Sequence, residues 1–494
     1  MAKYKRHPRM KKHLSIFLAF AVIFSLFLSG CGTTTPNYRV DLEIWGLFDD
    51  SDVFSKAIGE YQKRNPRVRE INYKKLTVDS YETDILEALA TGNGPDIFLI
   101  HNTWLAKHKD KLVPVPTDNS SGNPVEILNA RQIRDQFVDV VSADFVSENQ
   151  IYALPLSVDS LALFYNRDLL NQAGVTRPPE TWIEFDEAVK KITKIDSFGN
   201  IILSGAAMGT SSDVGPGEGK INRATDILTL LMMQAGTEMT DSKMGSAAFA
   251  EFSGAATGNE MSPGESALSY YTKFSSPYKK EYSWNSLQHN AIDSFTEGKT
   301  VMMLNYSWLI PRIQSRSPKL NLGIAKIPQN KLKDKPGISV DFANYWGLAV
   351  SKNKVAVQED LQRAKDNKVS YATNDQRVAE SWKFLRYLTL PPSFSQDLPV
   401  GATEDAVNFD PAKGYVENQK KPAARRDLIE AQKSDPLLGP FVEGNLIARS
   451  WAQPDNLAVE KIFDEMIDDV ILRNESPREV LRQGQNAVNL LMRK

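Results

Sequence analysis

Apolar and polar residues alternate over 39–44, where Val40, Leu42 and Ile44 are separated by Asp41 and Glu43. That period of two predicts a half-buried strand. Past the acidic stretch 49–52 the spacing becomes helical, with Val53, Phe54, Ala57, Ile58 and Tyr61 on one face. The unit then recurs as a strand over 71–75 and a helix through Ile85, Leu86 and Leu89, closed by Gly92 and Gly94-Pro95. A continuous apolar run over 97–100 follows, as a parallel strand covered on both faces requires. Strands alternating with helices predict an α/β layered fold.

Apolar and β-branched density rises again from Tyr152 through Leu154-Pro155-Leu156 and over 161–165. Thr181 with Glu184 three residues on is a capping box for a helix carrying Phe185, Ala188, Val189 and Ile192. Residues 205–219 are rich in Gly and Ser, after which 227–235 and 267–274 read as helices. Strands are predicted over 301–305, 322–327 and 346–350. The stretch 354–376 is charged and irregular, reading as an insertion or an extra exposed helix. Ser476-Pro477-Arg478-Glu479 supplies an N-cap, a first-turn proline and a capping glutamate for a last helix striped by Val480, Leu481, Val488 and Leu491.

The amino terminus follows a different logic. Lys3, Lys5, Arg6, Arg9, Lys11 and Lys12 precede an uncharged apolar run over 14–28, the layout of a signal peptide. The run is about 15 residues, short of the ~20 that span a bilayer. Leu28-Ser29-Gly30-Cys31 then resembles the bacterial lipobox, and Cys31 is the single cysteine, so no internal disulfide framework exists. The expected layout is a signal peptide over 1–30 and a tether over 31–38 lipidated at Cys31, on the outer face of the cytoplasmic membrane. Two acyl chains suffice for stable anchoring. Six of the 59 basic residues belong to the presegment, leaving 53 against 61 acids. A net charge near −8 argues against nucleic acid or an anionic surface as the main partner. With 41% hydrophobic residues in 494, the chain can bury two or three domain cores.

Enzyme motifs fail one by one. Gly215, Gly217, Gly219 and Lys220 imitate a phosphate loop, but Val214 stands where the first glycine belongs and Ile221 replaces the hydroxyl. His101 and His108 lack the spacing of a zinc helix, there is no Gly-x-Ser-x-Gly elbow, and neither metal nor cofactor is expected. Abundant carboxylates leave a surface glycan hydrolase as an alternative, beside a lipoprotein presenting a ligand to a sensor. Aromatic and polar residues collect instead at predicted strand ends, where open α/β sheets bind ligands. They are Trp45 with the residues up to Asp49, His101-Asn102-Thr103-Trp104, Trp308, and Tyr345-Trp346. A sugar offers apolar C–H faces to rings and hydroxyl edges to carboxylates and amides.

At these residues the chain resembles the family 1 extracellular solute-binding proteins, which are maltose-binding-protein-like. The resemblance rests on Tyr152-Ala153-Leu154-Pro155, Val158-Asp159, Leu163-Phe164-Tyr165-Asn166-Arg167-Asp168 and Pro179-Glu180-Thr181-Trp182-Ile183-Glu184-Phe185. A second block runs from Phe295 through Glu297-Gly298-Lys299 and Val301-Met302-Met303 to Asn305-Tyr306-Ser307-Trp308. Gly94-Pro95-Asp96-Ile97 and Trp346-Gly347-Leu348-Ala349-Val350 add to them. It implies a type II periplasmic-binding-protein-like α/β fold of two lobes, 39–155 with 324–351 and 156–323 with 352–494. The chain would cross near 155–160, return near 323–328 and cross again after Ser351. It further implies a non-catalytic monomer that delivers a carbohydrate, mono- or oligosaccharide, to an ABC permease. Polar ligand contacts would fall on Asp49, Thr103, Asp159 and the Ser211 segment, and stacking on Trp308, Trp346 and Trp451, with Trp104 and Tyr345 beside them. Thr103 stands where several sugar binders carry a carboxylate and Ile100 replaces an aromatic, which points away from maltodextrins.

Overall fold

The computed structural model describes residues 38–118, 125–212, 219–241, 245–251, 261–330, 339–352, 362, 365–366, 370–394 and 408–493. The expected signal peptide, Cys31, the glycines at 215 and 217, and most of 354–376 lie outside them. The chain divides into two compact units, Met1–Arg39 with Val357–Ala372, and Val40–Ala356 with Thr373–Lys494. In the first, Tyr38 and Arg39 pair in parallel with Ser370 and Tyr371. The second carries two sheets, each the centre of a lobe.

The first lobe opens with β1 (Tyr38–Gly46), α1 (Asp52–Arg64), β2 (Val68–Lys75), α2 (Tyr81–Ala90) and β3 (Ile97–His101), and reaches β4 (Ala153–Leu154). The second follows with β5 (Ala162–Asn166), α3 (Trp182–Ile192), β6 (Lys194–Ile195), β7 (Ile201–Ala206), α4 (Ala224–Gln234), α5 (Pro263–Thr272), β8 (Thr300–Asn305) and β9 (Leu322–Lys326). Next come β10 (Asp341–Phe342), β11 (Trp346–Val350), α6 (Asn374–Thr389), α7 (Pro411–Gln419), α8 (Gly439–Asn445), β12 (Ala448–Arg449), α9 (Asn456–Ile471) and α10 (Pro477–Met492).

The first sheet has the order β2-β1-β3-β11-β4, the second β6-β7-β8-β5-β9. β3 is parallel to β1 but antiparallel to β11, so the apolar run over 97–100 is a central strand of a mixed sheet. β5 and β8 are buried at every residue because helices cover them, α8 lying on β5 and β9, and α3 on β7. A strand enclosed on both faces gains by being apolar throughout. The predicted caps are partly realised. Thr181 Oγ1 accepts the Glu184 amide at 3.2 Å, while the Glu184 carboxylate turns to the Glu180 amide at 2.8 Å. Ser476 sits at the N-cap of α10 without a side-chain bond, and the Glu479 carboxylate pairs with Arg482.

The chain passes from the first sheet to the second between β4 and β5. The return is later than expected. β9 stays in the second sheet to Lys326, and Gln234 Nε2 holds both the Pro328 and Val340 carbonyls, at 3.1 and 2.9 Å. The chain regains the first sheet at 344–346, where the Asn102 amide bonds the Tyr345 carbonyl at 3.0 Å. Residues 374–419 also differ from the expected division, because α6 and α7 pack on the first lobe. Glu380 takes Asn65 Nδ2 at 2.6 Å, Arg377 reaches Asp96 at 2.8 Å, and the Tyr415 ring stacks on Phe54 at 5.8 Å. The last crossing therefore follows α7. Short pairings tie the crossing strands together, with β10 beside β12, Ser160 opposite Ala343 and Ser157 opposite Ala423.

Candidate functional site

Where the lobes face one another the structure encloses a cavity of about 20 Å³. His101 and Thr103 line it from the end of β3, Asn344 from the return crossing, Thr225, Asp226 and Thr229 from α4, and Gln453, Asn456 and Glu460 from the start of α9. The two helices bring their polar residues together by spacing. On α4, Thr225, Asp226 and Thr229 form one polar face of a fully buried helix whose other residues before Gln234 are apolar. On α9, Asn456, Glu460 and Asp464 recur every fourth residue, on one side of the helix.

Each group has a definite electrostatic setting. Asp226 takes the Tyr306 hydroxyl at 2.8 Å and lies 3.3 Å from Arg223 Nη1. Burial, and then the charge of Asp226, push the Glu460 carboxyl up to about 7. Burial pushes His101 down to about 4, so its ring is neutral near pH 7. Its Nε2 donates to Asn344 Oδ1 at 3.0 Å, which leaves Nδ1 to accept the Thr103 hydroxyl at 2.8 Å. Gln453 Oε1 is buried and has no hydrogen-bond partner. Two contacts close the mouth between the lobes. Trp104 Nε1 donates to Asn456 Oδ1 at 2.7 Å, and Lys107 Nζ pairs with Asp455 at 3.2 Å.

Of the residues expected from sequence, Thr103 lines this cavity. Asp159 and Trp308 are brought together at the first crossing. The Asp159 carboxylate accepts the Ser307 amide at 3.0 Å and the Ser307 hydroxyl at 2.7 Å, fixing the short turn that carries Trp308. Burial nevertheless pushes Asp159 up to about 7. Trp308 itself stays 48% exposed, the one tryptophan among the exposed large hydrophobics of the described residues. Trp346 is ringed by edges, with Trp104 at 5.1 Å, His101 at 5.2 Å and Phe48 and Tyr81 each at 5.8 Å.

The other expected residues are committed within the protein. Asp49 takes the Tyr415 hydroxyl at 2.8 Å and Lys421 Nζ at 2.9 Å. The buried Tyr345 hydroxyl donates to Asp144 at 2.8 Å. Trp451 belongs to the core of the second lobe, 6.2 Å from Phe463, with its indole N–H unpartnered. Ser211 is fully buried and its hydroxyl also lacks a partner. Sequence reasoning passed over Asp226, Gln453, Asn456 and Glu460. The usable signal was the polar face of α4 and the four-residue repeat on α9.

Among the described residues no group of His, Cys, Asp and Glu is arranged to hold a metal ion, and no helix is long and apolar enough to cross a membrane. A binding protein of Brucella abortus is 22% identical over 276 residues, 56% of this chain and 59% of its own length. The chain thus spans less than two thirds of that relative. The multiple sugar-binding protein of Streptococcus mutans is 19% identical over 411 residues, 82% of this chain and 84% of its own. In fold, the crystal structure of the cyclic alpha-maltosyl-1,6-maltose binding protein from Arthrobacter globiformis superposes with a TM-score of 0.65. It shares 18% identity, and the superposition covers 92% of this chain and 99% of that one. The two-lobed α/β architecture is therefore that of the maltose-binding-protein-like solute-binding proteins. The sequence model of the bacterial extracellular solute-binding proteins matches residues 56–410, and the chain belongs to that family of binding proteins.

Proposed function

We propose that the chain captures a carbohydrate outside the cell, closes its two lobes over it and delivers it to the membrane subunits of an ABC importer. The observation that carries this reading is Trp308, an indole left half exposed on a turn that Asp159 fixes at the first crossing. An aromatic face held rigid beside polar groups suits the C–H face of a sugar ring. The cavity wall supplies carboxylates and amides of the kind that hydroxyl edges require. Relatives named for sugars, such as the one from Streptococcus mutans, agree with it.

A cavity of about 20 Å³ holds about one water, whereas ligand sites run to hundreds of cubic ångströms. Binding therefore requires the lobes to part at Trp104–Asn456 and Lys107–Asp455. Closing again over a solute that touches both lobes stabilises only the closed state. The presegment over 1–30 serves export and Cys31 serves lipid anchoring, which keeps the receptor beside its permease. A thermal-shift screen of mono- and oligosaccharides tests the ligand class. A saccharide at about 100 times its Kd should stabilise the fold by ~2.7 kcal/mol. No shift from any saccharide, with a shift from polyamines or peptides, overturns the carbohydrate reading.

A further inference from the structure

The acids of the cleft are not balanced by the bases that face them. Asp226 is compensated, since Arg223 lies at 3.3 Å and the Tyr306 hydroxyl donates to the same oxygen. Arg223 is thereby committed, although its buried Nε keeps one donor for a ligand oxygen. Glu460 has no such partner. Among the described residues no lysine, arginine or histidine forms an ion pair with it; the Arg223 charge acts on it only at longer range, and its hydrogen bond is to the neutral side chain of Asn456. One turn further along α9, Asp464 adds another carboxylate, held by the amide of Ser212 at 2.8 Å. Gln453, only 8% exposed, lines the same cavity and leaves Oε1 without a donor. The oxygens of Asn344 and Asn456, by contrast, already accept from His101 and Trp104. The cavity is thus lined by more acids than bases, with Glu460 only partly exposed beside it.

We propose that Glu460, acting with the Asp226–Arg223 pair and Gln453, selects by charge, admitting neutral or amino-bearing saccharides and rejecting acidic ones such as uronates and sugar phosphates. This rests on the carbohydrate reading above and narrows it. The physical basis is discrimination by repulsion. A hydroxyl or an ammonium can donate to Glu460 and to Gln453 Oε1, whereas a ligand carboxylate is set against Glu460 where partial burial leaves charges less screened than in bulk water. Removing the charge at 460 while keeping its shape should lift the exclusion without abolishing capture.

The experiment is calorimetry at pH 8.5, where the Glu460 carboxyl, raised to about 7, carries its charge, with neutral gluco-, galacto- and manno-oligosaccharides, each paired with its uronate counterpart of the same linkage and length. Wild type should bind a neutral member on the order of tenfold or more tighter than its uronate partner, the scale of one poorly screened like charge. Glu460→Gln, still folding in one cooperative transition, should narrow that gap mainly by tightening the uronate. Equal or tighter uronate binding by wild type overturns charge selection. An unchanged gap in Glu460→Gln overturns the assignment to Glu460. If no saccharide of either kind binds, the carbohydrate reading itself fails, an outcome distinct from both. Glu460→Asp separates charge from fit, because it keeps the charge and should keep the exclusion even if overall affinity falls.

Discussion

Raising the pH from about 5 to about 8 should weaken the fold through Asp159, and Asp159→Asn should remove that part of the dependence. The carboxyl is raised from 3.8 to about 7, first by burial, against the opposing pull of the Ser307 donors. In the unfolded chain it loses its proton near pH 4, while in the folded chain it keeps it until about 7. Between those values the folded state binds more protons. Its stabilising contribution is therefore complete below the unfolded pKa and disappears as the pH rises through the folded one. Integrating the linkage from pH 5 to pH 8 gives a loss of about 2 to 3 kcal/mol, and the partial exposure of the residue places the effect toward the lower figure. The assay is urea unfolding of wild type and variant at half-unit steps of pH. Asp144, Glu460 and Asp341 are also raised and supply a common background slope, so the difference between the two proteins isolates Asp159. The reasoning is refuted if the two slopes coincide, or if wild type gains stability as the pH rises.

The tryptophans and the anchor give two further expectations. Trp308→Ala should cost about 2 kcal/mol of saccharide affinity, roughly thirtyfold, with modest loss of stability since half its surface is already in water. Trp451→Ala should behave in the opposite way, losing about 3 to 5 kcal/mol of stability as a core truncation. Equal unfolding of the two variants would remove the distinction. Cys31→Ser should shift the protein from the membrane fraction to the soluble fraction, as read by fractionation, whereas a variant that stays membrane-bound would mean that residues 14–28 are an uncleaved anchor.

Local pattern was enough to place the strands at 40–44, 97–100, 301–305 and 346–350 within their observed elements. What it could not place was the side on which α6 packs. Arg377, Glu380 and Lys383 are all buried, Arg377 pairing with Asp96 and Glu380 with Lys383 and Asn65. Paired charges go inside without leaving an apolar signature. That single helix moves the last crossing past α7. The site divides in the same way. Trp308 was expected from its place just past the strand over 301–305 and Asp159 only from the resemblance, and the Ser307 bridge joins them. Asp226 and Glu460 were not, since a polar stripe on a helix looks the same whether it faces water or a cleft. Trp451 shows the converse, for an aromatic near a predicted mouth can equally be core.

The acids with raised pKa values are not scattered. Asp144 bonds Ser450, Tyr345 and Asn102, Asp159 holds the turn before Trp308, Asp341 begins the β10–β12 pairing, and Glu460 faces the cavity. All four lie where the chain crosses between lobes or where the lobes meet. Each loses hydration in the closed arrangement, and burial is the first cause of every one of these shifts. A carboxylate denied water at a moving boundary opposes closure unless donors replace the water it lost. Ser307 and Tyr345 replace part of it from within the protein, and ligand hydroxyls can replace the rest at Glu460. The closed state thus costs most when the cleft has no donor to offer, which couples closure to capture through the same groups that would recognise the solute.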